Sequence, residues 1–250
     1  DGGGGGGGGC GPSAIACVVV AAHGASPEWL RLRDKSRVGT LVYWRHAAAA
    51  LHVTPNVFHE HAVFLHYIVS HYERLPPLSI LLHGHPAPVS WHNEDISRLL
   101  NSEIDLGALA DPQRWPVLRT LNKAHAGEPF CQRLGARAWA REAQVHRAAW
   151  ARVLGRYVGP PPRLRFSYCC VQLVVSRDLI RSRPRAMWEA LLRDLLDESV
   201  PRTCKVSEHV LELSWAWLLG AQPQVEADCA ARWGIADWNA SGHEGTELIV

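Results

Sequence analysis

The stretch Ala14–Ala22 (AIACVVVAA) limits the fold more than any other part of the chain. An unbroken apolar run of this length falls well short of the roughly 20 residues that a membrane helix needs. Its centre, Val18-Val19-Val20, is β-branched, and no polar residue alternates with the apolar ones. Such a run makes a strand whose two faces are both buried, which requires a sheet covered by other elements on either side.

The rest of the chain supplies those elements. Val38–Trp44 (VGTLVYW), Leu78–Leu82 and Phe166–Ser176 (FSYCCVQLVVS) read as further strands. Helical segments separate them: a short one opened by Ser26-Pro27-Glu28, then Val57 to Tyr72, Cys131 to Leu154, and a segment starting at Pro184. A last helix, Val206 to Leu219, is closed by Gly220. Strands alternating with helices predict an α/β domain with a mostly parallel central sheet. Residues 1–13, built on a run of eight glycines, predict a disordered tail; 14–220 form the domain, with an Ala/Arg-rich helical insertion at about 123–163; 221–250 are expected to be irregular.

Composition removes several function classes. A net charge of +2 with 20% charged residues is no nucleic-acid footprint, and the Arg-rich stretch 133–165, interleaved with Ala and Glu142, reads as a solvated helix face. No P-loop, Gly-x-Gly-x-x-Gly after a strand, or Gly-x-Ser-x-Gly elbow occurs, and no segment is apolar enough to span a membrane. Seven cysteines without a Cys-x-x-Cys pair argue against a finger-type zinc site; Cys17, Cys169 and Cys170, in apolar runs, read as buried free thiols.

In open α/β sheets ligands bind beyond the carboxyl ends of the strands. That rule draws attention to His83, His85 and His92, which follow the strand Leu78–Leu82. Three imidazoles form a metal-ligating face or supply a general base; the alternative is a loop whose histidines bond backbone and water. His59-Glu60-His61 opens a helix but is not His-Glu-x-x-His, because position 63 is Val. Glu60 there is either a site residue or a carboxylate favoured by the helix dipole. Arg177, after the strand ending at Ser176, suits a phosphate contact or a surface pair with Asp178. Glu212, four residues after Glu208 and ahead of Trp215 and Trp217, is a candidate base or acceptor ligand, or simply a solvated acid.

Tyr72-Glu73-Arg74-Leu75-Pro76, Leu81-Leu82-His83-Gly84-His85 and Ser90-Trp91-His92 together resemble the core of an uncharacterised family, domain-of-unknown-function family 3431. Tyr168-Cys169-Cys170-Val171-Gln172 running into Val174-Val175-Ser176-Arg177 resembles its second signature, and Glu212, Trp215 and Gly220 its last helix. The strand order is distantly similar to nucleotide-sugar glycosyltransferases with a single Rossmann-like domain of the glycosyltransferase A type. That likeness implies a nucleotide sugar or carbohydrate as partner and a Golgi or secretory location. It also implies a divalent metal, Mn or Zn, at His83 and His85, which stand where those enzymes carry Asp-x-Asp. Glu212 and His92 are then the catalytic candidates, with Arg177, Trp91 and Glu60 on the donor side. A metal-dependent hydrolase using His83, His85 and His92, and a non-catalytic carbohydrate-binding or scaffold domain, are the alternatives.

Overall fold

The computed structural model describes residues 10, 13–22, 28–44, 59–84, 96–122, 131–133, 150–160, 166–168, 171–197 and 204–232. Seven strands lie among them: β1 (Ala16–Ala22), β2 (Val38–Trp44), β3 (Leu78–His83), β4 (Leu118–Thr120), β5 (Cys131–Arg133), β6 (Phe166–Tyr168) and β7 (Leu173–Ser176). The longer helices are α1 (Glu60–His71), α2 (Arg177–Arg181), α3 (Arg185–Leu196), α4 (Cys204–Leu218) and α5 (Gln222–Arg232).

Five strands form an open sheet in the order β2-β1-β3-β7-β4, and β5 and β6 pair separately. β1 lies between β2 and β3 and is parallel to both, while β7 is antiparallel to β3 and to β4. Four of the five strands therefore point the same way, and this is a mixed α/β fold with a mostly parallel open sheet.

Every residue of β1 is buried, as its composition requires. Alternate side chains serve opposite faces. Cys17, Val19 and Ala21 join Leu81, Leu173 and Val175 under α1, α3 and α4. Ala16, Val18 and Val20 join Leu78, Ile80, Leu82 and Val174 under Leu32 and the helical turns carrying Ile96, Leu100 and Leu106. Each of the Val, Leu and Ile side chains among these, taken fully out of water, stabilises the fold by about 1.5–3 kcal/mol.

α1 is apolar nearly all round because it lies between the sheet and other helices: Val63, Phe64, Leu65, Tyr67 and Ile68 are all buried. One polar link crosses that layer. Tyr67 Oη and Ser79 Oγ, both buried, share a hydrogen bond of 3.0 Å. Tyr67→Phe strips the Ser79 hydroxyl of that partner, so a loss of about 1–2 kcal/mol is expected in urea unfolding. At the far end of α4, Arg183 donates to the carbonyls of Leu218 and Trp217 at 3.0 Å each, and Gly220 turns with φ +74°.

Several sequence expectations change. Phe166–Ser176 is not one strand: β6 pairs with β5, and only Leu173–Ser176 enters the main sheet. Cys131, expected to begin a helix, begins β5, because its segment finds a strand partner in Phe166–Tyr168. Beyond Gly220, where no element was expected, Gln222–Arg232 is helical and anchors Val225 in the core. Cys17 is disulfide-bonded to Cys10 rather than a free thiol. The polyglycine tail to residue 9, Cys169, Cys170 and most of the Ala/Arg-rich stretch fall outside the described residues.

The connections place the site. β1 leads to β2 through Trp29, Leu30 and Leu32, which pack on the second face. β2 leads to β3 across β1 through α1, on the first face. The chain thus leaves β1 and arrives at β3 on opposite sides of the sheet, which makes the carboxyl ends of β1 and β3 a topological switch point.

Candidate functional site

α1 returns from the carboxyl rim of the sheet to its amino rim, so its first turn must lie where β3 ends. The lengths agree: a 12-residue helix spans about 18 Å and a six-residue strand about 20 Å. Within β3, Leu81 packs on the first face, and His83, two residues on, shares it. The result is a contact that neither segment predicts alone. Glu60, in the first turn of α1, places Oε1 3.3 Å from His83 Nε2.

His61 flanks the same carboxylate, its Nε2 3.9 Å from Glu60 Oε1. Its Nδ1 accepts a 3.1 Å hydrogen bond from the Trp215 indole of α4. Trp215 is itself held by a stacked Trp188 at 6.4 Å and an edge-on Phe64 at 6.1 Å. Exposure divides the group: side-chain accessibility is 15% for Glu60 and 14% for His83 but 2% for His61. Glu60 and His83 keep a small accessible edge, although His83 Nε2 itself is buried, whereas His61 is sealed behind them.

Burial alone would keep Glu60 protonated. Positive charge on His83, then on His61 once acid protonates it, the helix backbone and His59 outweigh it and bring the carboxyl from 4.5 to about 2. Glu60 is thus an anion throughout the physiological range. His59, just before α1, takes φ 47° and ψ −134°, a region that costs a side-chain-bearing residue about 1–3 kcal/mol. Backbone strain is therefore stored one residue from the carboxylate.

The same rim carries a second buried polar pair. Gln172 Nε2 donates to Asn122 Oδ1 at 3.0 Å, at the start of β7 and just past the end of β4. Gln172 is part of the second sequence signature; nothing local singles out Asn122.

Of the residues expected to form the site, Glu60 and His83 come together. Glu212 is half-buried on α4, one turn ahead of Trp215 and on the same side of the helix, hence on the stretch that reaches the cluster. His85, Trp91 and His92 lie outside the described residues. Arg177 does not join. Because β7 is antiparallel, Ser176 pairs with Leu78 at the start of β3, and Arg177 N donates to Pro77 O. Five residues of strand, roughly 17 Å, separate that rim from His83. There the Arg177 guanidinium lies 5.4 Å above the Trp115 ring. That register sets Arg177 and His83 at opposite rims, where the reading of Arg177 beside the donor site expects them at one.

A family model described as "Protein of unknown function (DUF3431)" matches residues 17–233. The chain belongs to this family. No curated protein and no solved structure matches it. The DUF3431 match spans α1, β3 and α4, the elements that carry the Glu60–His83–His61–Trp215 cluster.

Among the described residues no set of three His, Cys, Asp or Glu is arranged to hold a metal ion. Glu60 and His83 offer two donors, one fewer than the three-ligand face of a catalytic zinc site. Among the same residues no helix is long and apolar enough to cross a membrane.

Proposed function

We propose that this DUF3431 chain transfers a glycosyl group from a nucleotide sugar, on a Rossmann-like frame of the glycosyltransferase A type. The observation that carries the reading is the Glu60–His83 ion pair at the switch point between β1 and β3. Transfer breaks the bond between the anomeric carbon and the diphosphate, and the leaving oxygen takes the electron pair. Where the likeness puts metal-binding aspartates, this chain puts an imidazole beside a fixed carboxylate. An anion 3.3 Å away stabilises positive charge on His83. That charge, at a partly exposed position, is suited to the departing diphosphate. The acceptor oxygen closes the new bond to the anomeric carbon, and its proton passes to Glu212 on α4. No step is routed through a metal.

Calorimetric titration with UDP-, GDP- and CMP-linked sugars, with and without Mn²⁺, tests this. Micromolar binding without metal, weakened at least tenfold by His83→Ala, is the expected result. Binding that strictly requires Mn²⁺ removes the role given to His83. Tightly held zinc with hydrolysis of a substrate favours the hydrolase reading. Absence of binding to every sugar nucleotide leaves a carbohydrate-binding or scaffold domain.

A further inference from the structure

Two imidazoles flank one carboxylate, and the helix behind them distinguishes the two. The Trp215 indole N–H is a donor only. Its 3.1 Å bond to His61 Nδ1 therefore requires a lone pair on that nitrogen, and the ring proton of neutral His61 sits on Nε2. Nε2 is the atom turned toward Glu60 Oε1, at 3.9 Å, too far for a direct hydrogen bond and near enough for an N–H dipole to act on the anion.

Adding a second proton to His61 places an N–H on Nδ1 against the N–H of Trp215. Both donors are then buried, with His61 2% exposed and Trp215 3%. The lost bond and the stranded donors disfavour that state by roughly tenfold or more. Trp215 has no room to turn away, since Trp188 stacks on it and Phe64 meets its edge. Among the described residues, the charged groups at the cluster are Glu60 and His59 at the start of α1 and His83 at the end of β3, with Glu212 one turn before Trp215 on α4. None of these replaces the donor on Trp215.

We infer that Trp215 and His61 are positioning residues: the indole fixes His61 as the neutral Nε2–H tautomer, so that the mobile charge facing Glu60 is carried by His83. This rests on the proposed transfer only for its purpose, which is to keep the cation at the partly exposed imidazole that meets the diphosphate. The lock itself is a property of the folded chain.

Long-range ¹⁵N–¹H spectra of the histidine rings in the intact protein test it, with His61→Gln and His83→Gln supplying the assignments. The expected spectrum has His61 Nδ1 bare and Nε2 protonated, unchanged across roughly pH 6.5–8, while His83 titrates in one step. Trp215→Phe keeps an aromatic ring and removes the donor. His61 should then populate both tautomers and titrate, and the His83 titration should become biphasic as the two rings compete for one carboxylate. His61 protonated at Nδ1 in the wild type, or titrating there alongside His83, overturns the inference whether or not the variant folds. An unchanged His61 tautomer in Trp215→Phe overturns it equally. Failure of sugar nucleotides to bind removes the transfer reading and leaves these spectra to stand by themselves.

Discussion

Gly84→Ala is expected to lower stability by about 3 kcal/mol or more. For a chain of this length that corresponds to a fall in Tm of roughly 6–12 °C. A Cβ placed on Gly84 falls well inside van der Waals contact of Ala21 O and Ala22 Cα, and 2.9 Å from Ala21 C. All three are backbone atoms of β1, a strand held by ladders to β2 on one side and β3 on the other. No side-chain rotation relieves the clash, so the ends of β1 and β3 must part. Because Gly84 follows His83 directly, parting them also carries the imidazole away from Glu60. Gly155→Ala is the control: its nearest neighbour, Trp150 O, lies at 3.7 Å, so a new methyl there is accommodated. Thermal melts followed by far-ultraviolet circular dichroism decide it. A Gly84→Ala protein that melts within a degree of wild type would show that β1 and β3 do not approach this closely at the rim.

That close approach has no signature in the local sequence, and it shows which parts of the molecule a reading of residues reaches. The unbroken apolar run of β1 declares itself a doubly covered strand, and Val38–Trp44 keeps its expected bounds because apolar content, flanking charge and β-branching agree there. Direction is another matter. A strand four residues long reads the same in either sense, and Leu173–Ser176 runs against β3. Reversing it moves Arg177 to the rim opposite His83, although the motif itself is legible in the sequence. The polar cluster illustrates the same limit. Glu60 and His83 each stand out in the sequence, but as members of separate segments; the register of β1 with β3 and the return path of α1 bring them together. His61 and Trp215 are 154 residues apart, and no spacing rule spans that distance. Trp215 reads as core, which it is, and its one polar atom carries the rest of its role.

Glu60→Gln removes the charge and keeps the shape, and it should separate the two roles of this carboxylate. On the proposed reading, transfer falls by about a hundredfold, because His83 loses the anion that stabilises its charge next to the diphosphate. The stability effect has a defined sign. The folded carboxyl lies at about 2 against an ordinary 4.5, so ionised Glu60 favours the native state at every pH above 4.5. That contribution is lost as the pH falls from 4.5 towards 2, where the carboxyl protonates in the folded protein as well. Over the whole interval it amounts to at most roughly 3 kcal/mol. The Gln variant has no such group. Urea unfolding repeated at pH 5, 4 and 3 should therefore show wild-type stability falling faster with acid than that of Glu60→Gln, the two curves converging towards low pH. Parallel curves would mean that Glu60 carries no linked proton and is not paired with His83 in solution. A large loss of transfer with parallel curves would place the carboxylate on the substrate instead of on the imidazole. A steeper acid limb in the wild type with undiminished transfer would leave the ion pair intact as a structural feature and remove it from the chemistry.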